Sequence, residues 1–325
     1  MKKRTLLVVV GLLMLNFCFA QNKGKYEELK KEALHFYKSK EYQKSADKYR
    51  EAFDFMDGKA TPTDRYNAAC SYSLANRTDT AFYHLFRLAK DAKYHNYGHI
   101  TADPDLNLLH DDQRWKQLIA MVKANKEEAE RYLDKPLVAL LDTIYREDQS
   151  FRRQVGEIAE KHGWDSEEVK AHWELINQKD SVNVIKVQKI LDERGWLGAD
   201  VVGNKGNLTL FLVIQHANIE IQEKYLPMMR EAVQKGNARA RNLALLEDRV
   251  ALRKGEKQIY GSQVARDKES GEYYVLPLID PDNVNKRRAE VGLGVIEDYI
   301  SYWGMTWDVE AYKKQLPLLE AKQKK

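Results

Sequence analysis

Residues 26–53 read YEELKKEALHFYKSKEYQKSADKYREAF, and the spacing within them indicates the fold class. Small and aromatic residues recur in it at helical spacing: Ala33, Phe36, Tyr42, Ser45, Tyr49 and Ala52. The first two share one helix face, Tyr42 falls in a short turn, and the last three begin a second face. Small residues let two helices approach closely while aromatic side chains fill the adjoining holes. The pattern predicts a hairpin of two packed helices.

The next stretch repeats this plan. Residues 63–91 read TDRYNAACSYSLANRTDTAFYHLFRLAKD, and the step from Ala33 to Ala69 is 36 residues. This resembles the tetratricopeptide repeat, whose period is ~34 residues. The additional residues fit the loop DGKATPT at 57–63. The resemblance implies a concave groove that docks a protein or peptide partner.

Two repeats are fewer than the roughly three that a stable stack requires, so a closing segment is expected. Residues 94–133 fit that role, with a turn at Asp103-Pro104-Asp105 and a helix that starts after Asp111-Asp112. This segment contains three histidines, at positions 95, 99 and 110. Their spacing offers no carboxylate on a shared face, which favours solvated loop histidines over a metal site.

The chain begins MKKRTLLVVVGLLMLNFCFA, a basic segment followed by a short apolar run and a small residue, Ala20. This is the layout of a secretory signal peptide, so we expect an exported protein, periplasmic or secreted. Lipoprotein anchoring at Cys18 is the less favoured alternative, because Phe17 is bulky. Removal of the signal leaves one cysteine, Cys70, which excludes an internal disulfide and fits a small buried residue.

Charge and hydropathy exclude further classes. The chain has 53 Lys and Arg against 49 Asp and Glu, and three of the basic residues lie in the signal. A nearly neutral mature chain gives no argument for nucleic acid as a partner. No apolar run beyond the signal is long enough for a stable membrane span.

The second half of the chain also favours helices. We expect helix starts at Pro136, at the capping sequence 165–168, and after Asp180-Ser181. The apolar run 208–214 is ambiguous between strand and helix, and helix is preferred because the run continues into Gln215-His216-Ala217. Glycines at 198, 203 and 206 predict a loose loop before that run, and they lack the spacing of a phosphate loop.

A polar segment, QIYGSQ at 258–263, precedes a predicted β-hairpin. Residues 264–265 end the first strand, KESG at 268–271 forms the turn, and alternation continues to Leu278. Gly261 relieves the backbone beside Gln258, Tyr260 and Gln263. Two interpretations stay open here: a glycine bulge whose amides bind loop backbone, or one wall of a ligand cleft.

Four motifs occur in order: QHA at 215–217 with Gln222, EDRV at 247–250, QIYGSQ at 258–263, and DPDNVNKRRAEVGL at 280–293. Together they resemble an uncharacterised bacterial C-terminal domain, catalogued as a domain of unknown function, over roughly residues 137–300. The related pattern usually has Thr where this chain has Ser262. The resemblance implies ligand-binding positions and no reaction: Gln215, Gln222, Asp248, Arg249, Gln258, Tyr260, Gln263, Asp280, Arg287 and Arg288.

Two functions are compatible with these residues. The first is an exported binding or scaffold protein, in which the repeats dock a protein or peptide and the C-terminal domain holds a small polar or anionic ligand. The alternative is a hydrolase or lyase in which His216 is the acid/base and arginines hold an anionic group. His216 could also be a core histidine satisfied by backbone groups. If Arg249 is buried, Asp280 is its candidate carboxylate partner.

The sequence therefore predicts a mainly α protein: a short tetratricopeptide-type helical hairpin array, then a separate mostly helical C-terminal domain with a small β-hairpin. The expected boundaries are 1–20 for the signal peptide, 21–135 for the repeats with their capping segment, 136–304 for the C-terminal domain and 305–325 for a tail helix. No cofactor and no metal ligand set is expected, because the chain has no HExxH, Walker or nucleophile-elbow motif.

Overall fold

The protein is described here by a computed structural model that covers residues 24–267 and 270–323. The expected signal peptide and two residues of the predicted hairpin turn, Lys268 and Glu269, lie outside the described residues. The chain divides between Arg131 and Tyr132 into two compact units. Both are mainly helical, which confirms the predicted fold class.

The N-terminal unit consists of consecutive helices joined by short turns. They are α1 (24–38), α2 (Tyr42–Phe55), α3 (Pro62–Leu74), α4 (Thr78–Asp91), α5 (Tyr97–Ala102), a 3-10 helix (Pro104–Leu109) and α6 (Gln113–Ala129). Helix α3 packs against both α2 and α4, so neighbours in sequence are neighbours in space. This arrangement is the hairpin stacking that the sequence predicts.

Small residues mark the close crossing of α1 and α2. Ala33 and Ser45 are completely buried, and the Ser45 hydroxyl donates a hydrogen bond to the Ala33 carbonyl oxygen at 2.8 Å. Only a short side chain allows that approach, and the hydroxyl finds its acceptor within the interface. Aromatic residues such as Tyr49 and Phe53 fill the space beside the crossing.

Capping side chains begin several helices in this unit. Thr61 accepts from the Asp64 amide at the start of α3, and Asp112 accepts from the Arg114 amide at the start of α6. Asp103 caps the 3-10 helix by accepting from the Asp105 amide. The predicted turn at 103–105 and the predicted start of α6 are therefore confirmed, each through the side-chain acceptor that such positions favour.

The C-terminal unit is built on five long helices. They are α7 (Lys135–His162), α8 (Glu167–Arg194), α9 (Ala199–His216), α10 (Ile219–Gln234) and α11 (Ala240–Arg253). Pro136 lies in the first turn of α7 and Ser166 caps α8, as expected, and Asn218 caps α10. Helix α7 packs against α8 and α9.

Two local predictions in this unit are wrong. Helix α8 continues through Asp180-Ser181, because Ser181 donates its hydroxyl to the Asn177 carbonyl oxygen within the helix and Asp180 pairs with Arg152 of α7. Of the glycines before residue 208, Gly203 and Gly206 belong to α9, and Gly198 precedes its first residue. Only Gly203 leaves helical geometry, with φ 70° and ψ 166°, and it produces a kink there.

The remainder of the unit starts with the predicted hairpin, β1 (Val264–Arg266) paired antiparallel to β2 (Tyr273–Val275), with Val264 opposite Val275. A 3-10 turn and three helices follow: Pro281–Asn283, α12 (Val284–Glu290), α13 (Ile296–Ser301) and α14 (Val309–Gln323). A separate apolar cluster that includes Leu278, Val284, Ile296 and Tyr312 holds them together. Among the described helices, none combines the length and apolar character needed to cross a membrane.

Candidate functional site

The segment 258–263 wraps around one buried carboxylate. Asp248 of α11 is completely buried and accepts hydrogen bonds from the backbone amides of Ile259 at 2.6 Å, Tyr260 at 3.0 Å and Ser262 at 2.9 Å. Burial raises the pKa of the Asp248 carboxyl, and the amide donors offset part of that rise. A single side chain thus organises the whole segment.

The Gln258 side chain connects the two ends of the same segment through hydrogen bonds. This side chain is fully buried, and its Nε2 donates to the carbonyl oxygens of Gln263 at 3.0 Å and Leu276 at 2.8 Å. Its Oε1 accepts from the Gln263 amide at 2.9 Å. Gly261 has φ +65°, a conformation that L-residues with a side chain rarely adopt. The first interpretation of QIYGSQ, amides that bind loop backbone, describes Gln258.

Two arginines of α12 hold the carbonyl oxygens of this segment. Arg287 Nε donates to the Ile259 carbonyl at 2.9 Å, and Arg288 Nη1 donates to the Tyr260 carbonyl at 2.8 Å. The Tyr299 hydroxyl donates to the Ser262 carbonyl at 2.6 Å. The motifs at 247–250, 258–263 and 280–293 therefore converge on one segment, where their polar atoms are largely used to bind the backbone.

Arg249 connects this segment to the end of α9. Its Nε and Nη2 both donate to Gln263 Oε1 at 3.1 Å, and its Nη1 donates to the Gln215 carbonyl oxygen at 2.7 Å. Arg253 donates to the Ala217 carbonyl oxygen at 2.7 Å. Burial and the nearby positive charges of Arg253 and Arg152 lower the pKa of Arg249 to about 10. Both arginines satisfy carbonyl groups that end a helix.

The expected pair of Arg249 with Asp280 is wrong. Asp280 pairs instead with Arg287, whose Nη1 lies 3.2 Å from Asp280 Oδ2. Instead of a carboxylate, Arg249 binds two neutral acceptors, a glutamine side chain and a backbone carbonyl oxygen. It can do so because the negative end of the α9 dipole lies at Gln215.

Gln215 and Gln222 lie at the α9–α10 junction. Gln222 Nε2 donates to the Gln215 carbonyl oxygen at 2.9 Å, and Gln215 Nε2 donates to the Leu245 carbonyl oxygen at 3.3 Å. The Oε1 atoms of both glutamines are buried and have no hydrogen-bond partner among the described residues. Two acceptors in the interior therefore stay available.

The His216 side chain contacts a carboxylate, whereas the sequence suggested backbone groups as its partners if it lay in the core. Its Nδ1 lies 2.8 Å from Oδ1 of Asp148 on α7. The Asp148 side chain is 1% exposed, and the His216 side chain is 18% exposed. Burial alone would raise the pKa of Asp148. The hydrogen bond from His216 and the positive charges of His216 and Arg152 outweigh burial, so that pKa lies below its usual value. An ionised carboxylate only accepts, so the Nδ1 that faces Asp148 carries a proton.

His216 also lines a cavity of about 220 Å³, which we call the His216 cavity. Its walls come from α8, from the end of α9 and from the start of α10: Asn177, Asp180, Ser181, Val184, Val213, His216, Ala217, Asn218 and Ile221. The cavity combines polar and apolar groups, as small-molecule sites do.

Arg152 joins Asp148 to a second carboxylate at this cavity. Its Nη1 lies 3.2 Å from Asp148 Oδ1, and its Nη2 lies 2.5 Å from Asp180 Oδ2. The other oxygen of Asp180 is buried without a partner among the described residues, and so are both amide atoms of Asn183, one turn further along α8. Polar groups left without partners in a protein interior are uncommon and mark places where a ligand or water can bind.

The same residues bear on metal binding. One ligand atom each of Asp148, Asp180 and His216 lies within 4.8 Å of the others, a donor set that zinc or manganese accepts. The guanidinium of Arg152, however, already contacts both carboxylates. A metal ion at that position would have to displace this cation, so the local positive charge comes from the protein itself.

The structure thus divides the expected site residues into two groups. The first group centres on the segment 258–263. It consists of Gln258, Tyr260 and Gln263 within the segment, and of Asp248, Arg249, Asp280, Arg287 and Arg288 around it. His216, flanked by Gln215 and near Gln222, lies at the His216 cavity. Arg249 is the link between the groups, through its bonds to Gln263 and Gln215.

Sequence reasoning missed Asp148, Arg152 and Asp180. A signal for the first of these was present. The buried face of α7 runs through Leu137, Leu141, Ile144, Asp148, Val155 and Ala159. A carboxylate at a core position of an apolar stripe indicates a buried partner. The identity of that partner, 68 residues away, has no sequence signal.

Comparison with known proteins identifies one relationship. A family model described as a family of unknown function, DUF6624, matches residues 134–311. These bounds enclose the α7–α13 helices and both groups of candidate residues. No match to a tetratricopeptide family was found, no curated protein matches the chain, and no solved structure matches it.

Proposed function

The chain belongs to the DUF6624 family, whose description assigns no activity, and from the geometry of its residues we propose that the C-terminal unit is a hydrolase or lyase in which His216 transfers a proton. The observation that carries this proposal is the 2.8 Å contact between His216 Nδ1 and buried Asp148 at the edge of a cavity. The carboxylate orients the imidazole and stabilises its protonated form, as the third group does in acid–base triads.

The free polar atoms near the His216 cavity suggest the substrate class. Asp180, which lines this cavity, has a buried Oδ1 without a partner among the described residues, and Asn177 and Ser181 add polar side chains to the same wall. A small polar molecule with hydrogen-bond donors matches them, and a cavity of about 220 Å³ limits its size. Arg249, Arg287 and Arg288 donate to protein acceptors, so we assign them to positioning the segment 258–263 and the end of α9.

The test compares two histidines of the same unit. His172 Nε2 lies 2.8 Å from the Phe151 carbonyl oxygen and has no carboxylate partner among the described residues, so His172→Gln is the matched control for His216→Gln. Both full-length variants and the wild type are assayed with chromogenic esters, phosphates and glycosides. We expect His216→Gln to lose about 100-fold or more of any turnover, the usual contribution of general acid–base catalysis. Equal turnover in all three proteins would refute the proposal.

A binding role without catalysis is the second candidate, and the unpartnered Oδ1 of Asp180 at the cavity supports it equally. In that case no substrate is turned over, and His216→Gln weakens ligand binding while the melting temperature stays close to that of the wild type. A large fall in melting temperature would instead assign His216 to the core.

Docking of a protein or peptide by the N-terminal helices is a separate proposal, and so is the tetratricopeptide interpretation of residues 21–135. A cavity of about 310 Å³ among α1, α2, α3, α5 and the following 3-10 helix supports docking. Export to the periplasm or medium stays a prediction from the signal-like sequence 1–20.

A further inference from the structure

The cavity in the N-terminal unit has an unusual chemical lining. Three tyrosines, Tyr37, Tyr49 and Tyr66, surround it together with Asp103 and Asp105. The tyrosines come from α1, α2 and α3, while both aspartates lie at the start of the 3-10 helix. Rings and carboxylates from four separate elements therefore share one concave surface.

The two carboxylates are held by hydroxyl groups. Tyr66 donates to Asp103 Oδ2 at 2.8 Å, and Tyr37 donates to Asp105 Oδ2 at 2.5 Å. Asp103 Oδ1 accepts from the Asp105 amide at 3.0 Å. These bonds fix both side chains in place and leave their negative charges uncompensated.

Several other carboxylates of this unit are paired with cations. Asp64 lies 3.0 Å from Lys30, and Asp47 lies 2.7 Å from Arg77. For Asp103 the nearest basic group is His99, whose Nε2 is 4.0 Å from Oδ2. Within the described part of the chain, no lysine or arginine comes within 4.0 Å of Asp103 or Asp105. A site with two fixed negative charges and aromatic walls attracts a cation.

The size of the cavity favours an organic cation over a metal ion. Its volume of about 310 Å³ is at the lower end of the range for organic ligands, whereas one water molecule occupies only about 30 Å³ of liquid. Cys70 Sγ lies close enough to both carboxylates to complete a metal set. Burial and the two carboxylates raise the pKa of that thiol, however, and the metal ligand is the thiolate.

We propose that this cavity binds a lysine side chain of a docked peptide, with the ammonium group at Asp103 and Asp105 and the alkyl stem along the tyrosine rings. The inference rests on the proposed docking role of the N-terminal helices, and it names the chemistry that this role uses. An ammonium group matches the two acceptors and is attracted by the faces of nearby rings, and the apolar stem packs against the ring surfaces.

The test titrates the full chain by calorimetry with two short peptides, acetyl-Gly-Lys-Gly-amide and its norleucine analogue. The analogue keeps the stem and lacks the charge. We expect the lysine peptide to bind at least about tenfold more tightly, the effect of roughly 1.4 kcal/mol. Equal affinity would leave docking intact and overturn the lysine assignment. Binding of neither peptide at millimolar concentration would overturn docking as well.

A double variant, Asp103→Asn with Asp105→Asn, removes both charges. Asparagine at 103 still has a side-chain oxygen that accepts from the backbone amide of residue 105, because Asn caps helices as well as Asp does. Asp111→Asn, an exposed position of the same unit, is the matched control. We expect the lysine peptide to bind about tenfold more weakly to the double variant and unchanged to the control, with equal circular dichroism spectra. Unchanged binding to the double variant would refute the site.

Zinc and calcium are titrated in the same way. A metal ion that binds the wild type and not the double variant, without binding of the lysine peptide, would assign the cavity to a metal and overturn the proposal. A Tyr37→Phe variant gives a second measure that does not alter charge. It keeps the ring and removes only the hydroxyl that holds Asp105, so the preference for lysine over norleucine should fall without being lost.

Discussion

His216 Nδ1 lies 2.8 Å from Asp148 Oδ1, although 68 residues of chain separate the two side chains. Asp148 occupies a core position of α7, and His216 is the last residue of α9. The packing of these two helices therefore creates a contact in which a buried carboxylate orients an imidazole at the edge of a cavity. A buried charge without such a partner would be strongly unfavourable.

Replacing Asp148 by asparagine should impair proton transfer more than it impairs folding. An asparagine amide can donate to Nδ1, which favours the wrong imidazole tautomer, and it cannot stabilise a protonated ring. We expect turnover to fall by about 100-fold or more, measured on a substrate that the wild type converts. Asp142→Asn, on the same helix, removes only a half-exposed pair with Lys205 and serves as the control. Similar losses in both variants would contradict the role of Asp148.

The Asp148 contact also predicts an acid limit of stability. The pKa of this carboxyl is lowered in the folded state, so its contribution to the free energy of unfolding is present above its unfolded value of about 3.8. That contribution is lost as the pH falls from there through the folded-state pKa. Urea unfolding from pH 6 to pH 2 should therefore show a smaller acid destabilisation in Asp148→Asn than in the wild type. Parallel curves would rule this out.

Asp248 should be the most sensitive position of the segment 258–263. Both carboxylate oxygens of Asp248 accept hydrogen bonds from backbone amides. In Asp248→Asn an NH₂ group, which cannot accept, replaces one of these oxygens, so at least one buried backbone amide loses its partner. We expect a loss of about 2–4 kcal/mol in the free energy of unfolding. Hydrogen exchange should become faster at the amides of Ile259, Tyr260 and Ser262. The exposed Asp298→Asn is the control, and slow exchange retained at these amides would contradict the assignment.

Gly261 and Gly255 form a matched pair for backbone strain. Both have positive φ, +65° and +78°. A Cβ atom at Gly261 would lie 2.8 Å from Cδ1 of buried Ile296, whereas at Gly255 it would meet open space. Gly255→Ala should cost about 1 kcal/mol for the left-handed conformation, and Gly261→Ala about 1–3 kcal/mol more because the core must shift. Chemical denaturation of both variants measures the difference, and equal costs would show that Ile296 moves freely.

His84 should make the N-terminal unit sensitive to acid. Burial and the positive charges of Arg65 and Arg87 lower the pKa of His84 to about 4, from an ordinary value of 6.5. Between these values the unfolded chain binds a proton that the folded chain does not. The free energy of unfolding therefore falls as the pH decreases from about 6.5 to about 4, by about 3 kcal/mol in total.

His84→Gln should remove that pH dependence, although it also lowers stability at pH 7 through the lost stacking on Tyr72, 5.2 Å between ring centres. The exposed His95→Gln should keep the wild-type dependence. Urea unfolding of the three full-length proteins at pH 7 and pH 4.5 gives the comparison. A wild-type response in His84→Gln would mean that another group is responsible.

Local features of the chain could be predicted from the sequence because short-range physics controls them. The cap Ser166 binds an amide three residues away, and Gly261 and the alternating residues of the hairpin act on their immediate neighbours. The predicted break of α8 at Asp180 failed for the opposite reason. A residue typical of a cap pairs there with Arg152, 28 residues earlier on a neighbouring helix.

Patterns within the amino-acid sequence are enough to predict the helical hairpins and the fold class, and they place residues 134–311 in a family. They also indicate that QIYGSQ and the motifs around it belong together. The contacts that these residues make become visible when the helices are packed together. Asp248, Gln258 and the arginines hold backbone, while His216 meets Asp148 at a cavity. Helical periodicity specifies which residues face inward, but the partner of a buried charge depends on how separate helices pack.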